Sequence, residues 1–266
     1  MLNMTESPSK KISESKSWQG KTVWITGASS GIGRCLALDL ASMGATVIVS
    51  ARNKAKLVQL ANLFPQKIIA LAVDVADASQ IDIVRSQLGK SVESIDVAIF
   101  AAGVVEYEND LAFDDQTYRK VFDVNFFGLV NSVAMAMPLL KKSGFKPYIV
   151  GLTSLTVVIG FPRAEIYGSA KAAADYFLKS LRMDLPQEDF DISIVRPGFV
   201  KTPMTAVNDF PMPFIMSAEN AAQRIIKGMN SRQLFINFPG RFYWILNVLS
   251  GFPIIWYRWL APKIRR

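Results

Sequence analysis

The chain has 266 residues, half of them hydrophobic and a fifth charged, with a net charge of +8, one cysteine and no histidine. That length suits one large α/β domain with a substantial core, and the lone Cys35 excludes an intrachain disulfide and points to a reducing compartment. The lack of histidine excludes Ser-His-Asp triads, Cys-His dyads and histidine metal sites, so no metal is expected and acid–base chemistry must come from Tyr, Lys, Asp, Glu or Cys.

Residues 1–18 are polar, rich in Ser and Lys, and carry no apolar h-region. They read as a flexible tail and not as a secretory signal. From 19 to 238 short apolar runs alternate with helix-length segments. The predicted strands are 22–26 (TVWIT), 45–50 (ATVIVS), 67–75 (KIIALAVDV), 95–103 (IDVAIFAAG), 148–154 (YIVGLTS), 191–198 (DISIVRPG) and 233–239 (QLFINFP). Near-continuous apolar strands separated by helices argue for a parallel sheet covered on both faces. The expected fold is a single doubly wound Rossmann-type α/β domain with a mostly seven-stranded parallel sheet. Residues 239–266 form an apolar C-terminal helical extension. In such a fold ligands sit beyond the carboxyl ends of the strands. No helix carries a dense Lys/Arg stripe interleaved with aromatics, so no nucleic-acid partner is expected.

"TGASSGIG" (26–33) follows the first strand directly and opens the first predicted helix. Gly27, Gly31 and Gly33 permit positive φ and close approach of the backbone to a ligand. Together with Ser29, Ser30, Ile32 and Arg34 they surround a helix N-terminus, whose free N–H groups and positive dipole end suit a phosphate. The strand–loop–helix context reads as a dinucleotide site, in a longer three-glycine variant of the G-x-G-x-x-G loop. Cys35, one residue further on, reads as a small core residue. An NAD site would place Asp or Glu at the end of the second strand for the ribose 2′-hydroxyl. "SARN" (50–53) has no acid there and offers Arg52, with Arg34 behind the glycine loop. Two guanidiniums suit a 2′-phosphate, so NADP(H) is expected over NAD.

"YGSAK" (167–171) sets Tyr167 and Lys171 four residues apart, on one helical face. Alone, that pair does not separate a surface helix from an acid–base dyad. The set does more. "TGASSGIG", "AAG" (101–103), "VNFFG" (124–128), Ser154, "YGSAK" and "RPGFV" (196–200) resemble, in order and spacing over residues 20 to 238, the short-chain dehydrogenase/reductase family. The resemblance implies Tyr167 as catalytic acid/base, Lys171 as its partner, Ser154 as the hydroxyl that polarises substrate, and Asn125 as holder of a water linking the lysine to solvent. It assigns the three glycines to the cofactor loop and Asp74, beside Val75, to the adenine ring. Ala102 and Gly103 join the cofactor site, as do Pro197 and Gly198 at a turn near the nicotinamide, Val200, and Thr202 at the carboxamide. One departure is "FAAG", where the family usually has "NNAG": Ala101 replaces an asparagine that supports the central strands. Family members are usually dimers or tetramers, so a homodimer or homotetramer is expected.

The chemistry explains the residue types. A carbonyl becomes an alcohol by gaining a hydride, which the cofactor carries, and a proton, which the protein must donate while stabilising the developing oxyanion. A phenol titrates near 10; a nearby ammonium is expected to lower that value, and the oxidised nicotinamide adds a second positive charge. The small residues 168 to 170 are expected to leave room for cofactor and substrate.

The segment 198–216 holds Met204, Phe210, Met212, Phe214, Ile215 and Met216, predicted as an apolar wall for a lipophilic carbonyl or alcohol substrate. The extension mixes aromatic and apolar residues with Arg241, Arg258, Lys263, Arg265 and Arg266. It falls short of a spanning helix. Peripheral contact with a membrane interface and packing on the domain or on another subunit stay open. The reading is a cytoplasmic NADP(H)-dependent oxidoreductase, open to contact with the inner face of a membrane, that interconverts a ketone or aldehyde and an alcohol. The alternatives are a membrane-associated lipid ketoreductase of the 3-ketosphinganine type and a non-catalytic NADP-binding sensor or scaffold.

Overall fold

The computed structural model describes residues 18–107, 113–186 and 189–264. Most of the expected N-terminal tail, and Arg265 and Arg266 of the extension, lie outside the described residues. The main sheet has seven parallel strands: β1 (Thr22–Thr26), β2 (Thr46–Ala51), β3 (Ile68–Ala72), β4 (Val97–Phe100), β5 (Tyr148–Leu152), β6 (Asp191–Pro197) and, after a short parallel pair β7 (Val200–Lys201) and β8 (Met216–Ser217), β9 (Phe235–Phe238). Their order is β3-β2-β1-β4-β5-β6-β9. The order reverses between β1 and β4, the switch point at which a doubly wound sheet opens a crevice.

Alternation along the strands fills both faces. In β1 and β2, Val23, Ile25, Val47 and Val49 enter one core with helices α1 (Gly31–Ser42) and α6 (Ala218–Asn230). Trp24 and Ile48 enter the other, with α3 (Ile81–Ser91) and α4 (Asp115–Leu140). Before those lie α2 (Lys54–Ala61), and after them α5 (Glu165–Asp184). Helix α4 is the one among the described residues long and apolar enough to cross a membrane, but 56% of its most apolar stretch is buried inside the domain. Leu129, Val133 and Ala136 explain that apolar character as core packing.

Several strands end earlier than predicted. β3 stops at Ala72, β4 at Phe100 and β5 at Leu152, where the sequence reads on to Val75, Gly103 and Ser154. The extra residues have strand-like composition, but they leave the ladder at the carboxyl ends and become walls of the crevice. Asn125 lies in a five-residue π-helical turn, Asp123–Phe127, within α4; such turns recur at functional sites.

The C-terminal extension packs on the domain. Helix α7 (Gly240–Ser250) and a following helix α8, built of a π-turn over Ile255–Leu260 and Ala261–Ile264, bury Phe242, Leu246, Trp256 and Ala261 against Leu155 and Ile159. The Trp256 indole donates to the Gly160 carbonyl at 2.7 Å, and the Gly160 N–H donates to the Tyr257 hydroxyl at 3.3 Å.

The distance between α5 and the sheet is set at Gly151. A Cβ there would lie 2.3 Å from Leu178 Cδ1 and 3.1 Å from Cδ2. Leu178 is fully buried, so it has no room to yield. Gly151→Ala is expected to cost about 1–3 kcal/mol by overpacking, read as a lowered denaturation midpoint, and to lift the helix that carries Tyr167 and Lys171.

Candidate active site

The crevice begins with the glycine loop. Gly27 has φ +70°, and a Cβ on it would lie 2.6 Å from the backbone of Ala101 and Ala102. Only glycine lets the loop after β1 touch the loop after β4. Gly31 has φ +54°, and a Cβ there would meet Thr202 at 2.9 Å. Ser30 precedes α1 in extended conformation, its side chain makes no capping bond, and the first turn holds no acid. The leading N–H groups of α1 therefore keep a positive, unclaimed end facing the crevice.

A cavity of about 500 Å³ runs from this loop across the sheet ends. Gly27, Ser29, Ser30, Gly31, Ile32 and Gly33 form one end. Arg52, Asp74 and Val75 flank it, followed by Ala102 and Gly103. Ser154, Tyr167, Lys171, Pro197, Gly198, Val200 and Thr202 complete it. Arg52 is exposed at its rim. Arg34 is also exposed but does not line the cavity, and its charge acts on Glu219 and Cys35. Cys35 is a buried free thiol pushed up to about 11 by burial and by Glu219, in keeping with a packing role. The Asp74 carboxylate accepts the Ala76 N–H at 3.1 Å, and the Asn131 amide of α4 donates to the Val75 carbonyl at 2.9 Å. The residues present fit a dinucleotide: a cradle that admits no Cβ, an uncapped helix N-terminus and an elongated cleft at the switch point.

Beyond the cradle the polar groups converge. Lys171 is buried, and its Nζ donates to the Leu152 carbonyl at 3.1 Å and lies 5.9 Å from the centre of the Tyr167 ring. Burial alone lowers its pKa to about 8. A Cβ on Gly103 would lie 2.9 Å from Asn125 Oδ1 and 3.4 Å from Lys171 Nζ, so the glycine keeps those two groups adjacent. The Asn125 side chain, turned inward by the π-helical turn, pairs with the backbone of Val104, accepting its N–H at 3.2 Å and donating to its carbonyl at 2.8 Å. Ser154 is buried, accepts the Thr156 N–H at 3.2 Å and is hydrogen-bonded to Tyr167.

The expected lowering of the Tyr167 phenol by Lys171 is not what the polypeptide itself produces. Burial pushes the phenol up to about 12, against the hydrogen bond with Ser154 and with a smaller push from Tyr107. The ammonium faces the Leu152 carbonyl, which leaves desolvation to dominate. The small residues of "YGSAK" also differ in purpose. A Cβ on Gly168 would find nearly open space, whereas Ala170 is fully buried against Val121 of α4. Ser169 is exposed and turns its hydroxyl back onto the Glu165 and Ile166 carbonyls.

A second, apolar cavity of about 470 Å³ adjoins the first and shares Ser154, Tyr167, Gly198, Met204 and Thr205 with it. Of the six loop residues predicted to wall it, Met204 and Phe210 do so. Met212 instead accepts the Asn208 amide at sulfur, Phe214 and Ile215 are exposed, and Met216 packs on the main core. The opposite wall comes from the extension, through Phe242, Leu246, Leu249 and Trp256. The sequence marks these residues as apolar without saying which face turns inward.

The residue that sequence reasoning missed is Asp175, two turns after Tyr167 on α5. It is 2% exposed, and both its oxygens take Arg196, at 2.7 and 2.8 Å. It also accepts Thr153 Oγ1 at 3.2 Å and pairs with Lys179 at 3.0 Å. Burial raises its pKa, but Arg196 and Lys179 outweigh that and hold it below the ordinary carboxylate value. One carboxylate thus joins α5 to the residue before Ser154 and the residue before Pro197.

A glycine cradle thus opens onto a Tyr167–Lys171–Ser154 cluster at the switch point of a doubly wound sheet, an arrangement that suits nucleotide-dependent hydride chemistry. The chain belongs to the short chain dehydrogenase family, whose model matches residues 21–210. It is 32% identical over 227 residues to an uncharacterized oxidoreductase of Myxococcus xanthus, covering 82% of this chain and 87% of that one. It is 32% identical over 248 residues to 11-beta-hydroxysteroid dehydrogenase-like 3 of Arabidopsis thaliana, covering 88% and 78%. Among solved structures it shares its fold with a short chain dehydrogenase/reductase from Burkholderia phymatum in complex with NAD, with TM-score 0.78, 20% identity and coverage of 86% and 92%. It also shares it with 3-ketoacyl-(acyl-carrier-protein) reductase from Brucella melitensis complexed with NADH, with TM-score 0.75, 19% identity and coverage of 83% and 96%.

Two measurements check the electrostatics. Asp175→Asn strips the buried Arg196 of its partner and is expected to destabilise the protein by about 3 kcal/mol. The wild-type advantage should be present above pH 4 and fade as acid protonates Asp175 through its lowered pKa. Lys171 has the opposite sense: the unfolded chain holds its proton up to about 10.5 and the folded protein releases it near 8. The unfolded state then binds more protons between those values, so stability relative to Lys171→Met should rise by about 3 kcal/mol across that interval. Denaturant titrations at stepped pH read both.

Proposed function

We propose that the protein is an NADP(H)-dependent oxidoreductase that interconverts a lipophilic ketone or aldehyde and its alcohol, with Tyr167 as acid/base. The observation that carries this is the junction of the two cavities. The dinucleotide cleft and the apolar chamber meet at Ser154 and Tyr167, where a carbonyl held in the chamber would face the nicotinamide end of the cleft. The cofactor supplies or takes the hydride. Tyr167 donates the proton to the carbonyl oxygen in reduction and removes it in oxidation. Ser154 donates a hydrogen bond to that oxygen. Lys171, charged below about pH 8 and 5.9 Å from the centre of the Tyr167 ring, places a cation beside the cofactor cleft that it lines. With the phenol pushed up to about 12 by burial, Tyr167 rests as a proton donor at neutral pH. A bound oxidised nicotinamide would add a positive charge that favours the phenolate.

The preference for NADP(H) is supported by Arg52 at the cavity rim, with no acid at the end of β2. The two solved structures named above carry NAD and NADH, so this rests on the residues of this chain. A lipophilic substrate is supported by the apolar lining of the second chamber, and by the hydroxysteroid dehydrogenase-like names of relatives.

Fluorescence titration should show NADPH binding at least tenfold tighter than NADH, with Arg52→Ala removing most of the difference, about 1.5 kcal/mol or more for a charge-assisted pair. In the same preparations Tyr167→Phe should keep NADPH affinity and lose carbonyl reduction by a factor of roughly a thousand. Equal binding of the two nucleotides would overturn the NADP assignment, and a Tyr167→Phe variant that still turns over would overturn the acid/base role.

A further inference from the structure

Helices α7 and α8 pack with reversed polarity for a surface element. Their inner stripe fills the cluster around Leu155, yet their outer face is also apolar. Nine of the twenty-one large apolar side chains exposed among the described residues belong to this short segment. Trp244 and Trp259 are 66% and 60% exposed, Ile254 70% and Phe252 56%. Exposed large apolar side chains concentrated in one segment of a folded domain mark a contact surface.

Its chemistry says what it contacts. Residues 240–266 contain five cations and no acid. Arg241, Arg258 and Lys263 are exposed on α7 and α8, and the Arg258 guanidinium lies 5.9 Å from the centre of the Trp259 ring. Tryptophan and tyrosine beside arginine and lysine, over an apolar face, is the composition of an element lying at a lipid–water interface. A second copy fits worse. A two-fold contact sets a patch against itself, and here that would bring like charges together with no carboxylate from the segment to balance them.

The face is also continuous with the apolar chamber. Ile245 is 38% exposed on the outside and lines the chamber, as do Lys263 at the end of α8 and Pro211 and Pro213 on the facing loop. Phe214 of that loop is exposed and lies 5.8 Å from Phe242 of α7. We propose that α7 and α8 seat the protein on an anionic membrane surface, with their outer side chains in the headgroup boundary. The chamber mouth then faces the bilayer, and a lipophilic carbonyl passes from lipid to Tyr167 without crossing water. The route rests on the oxidoreductase reading above; the seating does not.

Flotation of the full chain with phosphatidylcholine vesicles, with and without phosphatidylserine, tests it. The protein should float with the anionic vesicles, with each basic residue at the surface worth about fivefold in partitioning and the binding weakening as salt screens it. Trp244→Ser with Trp259→Ser, neither of which lines the cleft or the apolar chamber, should reduce partitioning by roughly tenfold or more while NADPH titration stays at the wild-type value. The tryptophan emission of the wild type should shift to the blue on binding. No flotation with anionic vesicles, or flotation unchanged in the double variant, overturns the proposal. So does sedimentation showing a dimer that the double variant dissolves, since the face would then belong to a second copy. Flotation without NADPH binding would uphold the seating and sink the oxidoreductase reading; NADPH binding without flotation would do the reverse.

Discussion

The site depends on one buried carboxylate. Asp175 takes a bidentate guanidinium from β6 and a hydroxyl from the end of β5, while belonging to the helix that carries Tyr167 and Lys171. A buried ion pair seldom adds net stability over an apolar equivalent, because desolvation consumes most of the attraction. What it does here is fix geometry. Two planar groups joined by two hydrogen bonds permit little rotation or slip, so the helix cannot move along the sheet without breaking them. Gly151 adds the perpendicular constraint by letting Leu178 seat directly on β5. Helix register and helix height are thereby set independently, by charge in one case and by contact in the other.

That fixed frame allows the site to hold an unfavourable charge. Lys171 is an ammonium with a single backbone acceptor in a desolvated place, and its lowered pKa measures the cost. A flexible lysine would swing to solvent; this one stays buried on α5, its Nζ held by the Leu152 carbonyl in the space that Gly103 leaves open. The confinement keeps a positive potential near the phenol and the cleft. Groups oriented before any ligand arrives are where enzymes of this kind gain rate.

Much of this was legible in the chain, for identifiable reasons. Gly27 and Gly31 announce themselves because only glycine tolerates their backbone and their contacts. The Tyr–Lys spacing is one helical turn, and the strand pattern is local. Asp175 was not legible: on a helix it looks like any surface acid, and its partner is named only when β6 pairs with β5. Asn125 was named from the resemblance, but the π-helical turn that aims it inward is not visible in any periodicity. The strands were read too long because the crevice walls continue the apolar composition of the ladder. The loop after Gly198 was over-read, since apolar content does not tell which residues of an irregular segment turn inward.

The extension shows why composition has to be joined to packing. Its aromatic, apolar and basic content fits a helix stacked on the domain, a subunit contact or a membrane surface, and the sequence alone leaves all three. The structure satisfies the first with one stripe, Phe242, Leu246 and Trp256, which walls the apolar cavity. The other stripe is left over. An element needed only as a chamber wall would carry polar residues on its outer face, as an amphipathic surface helix does. Water penalises Trp244, Phe252, Ile254 and Trp259 where they stand, a cost that packing on the domain does not offset. The chamber wall and the exposed apolar side chains are thus two sides of one element.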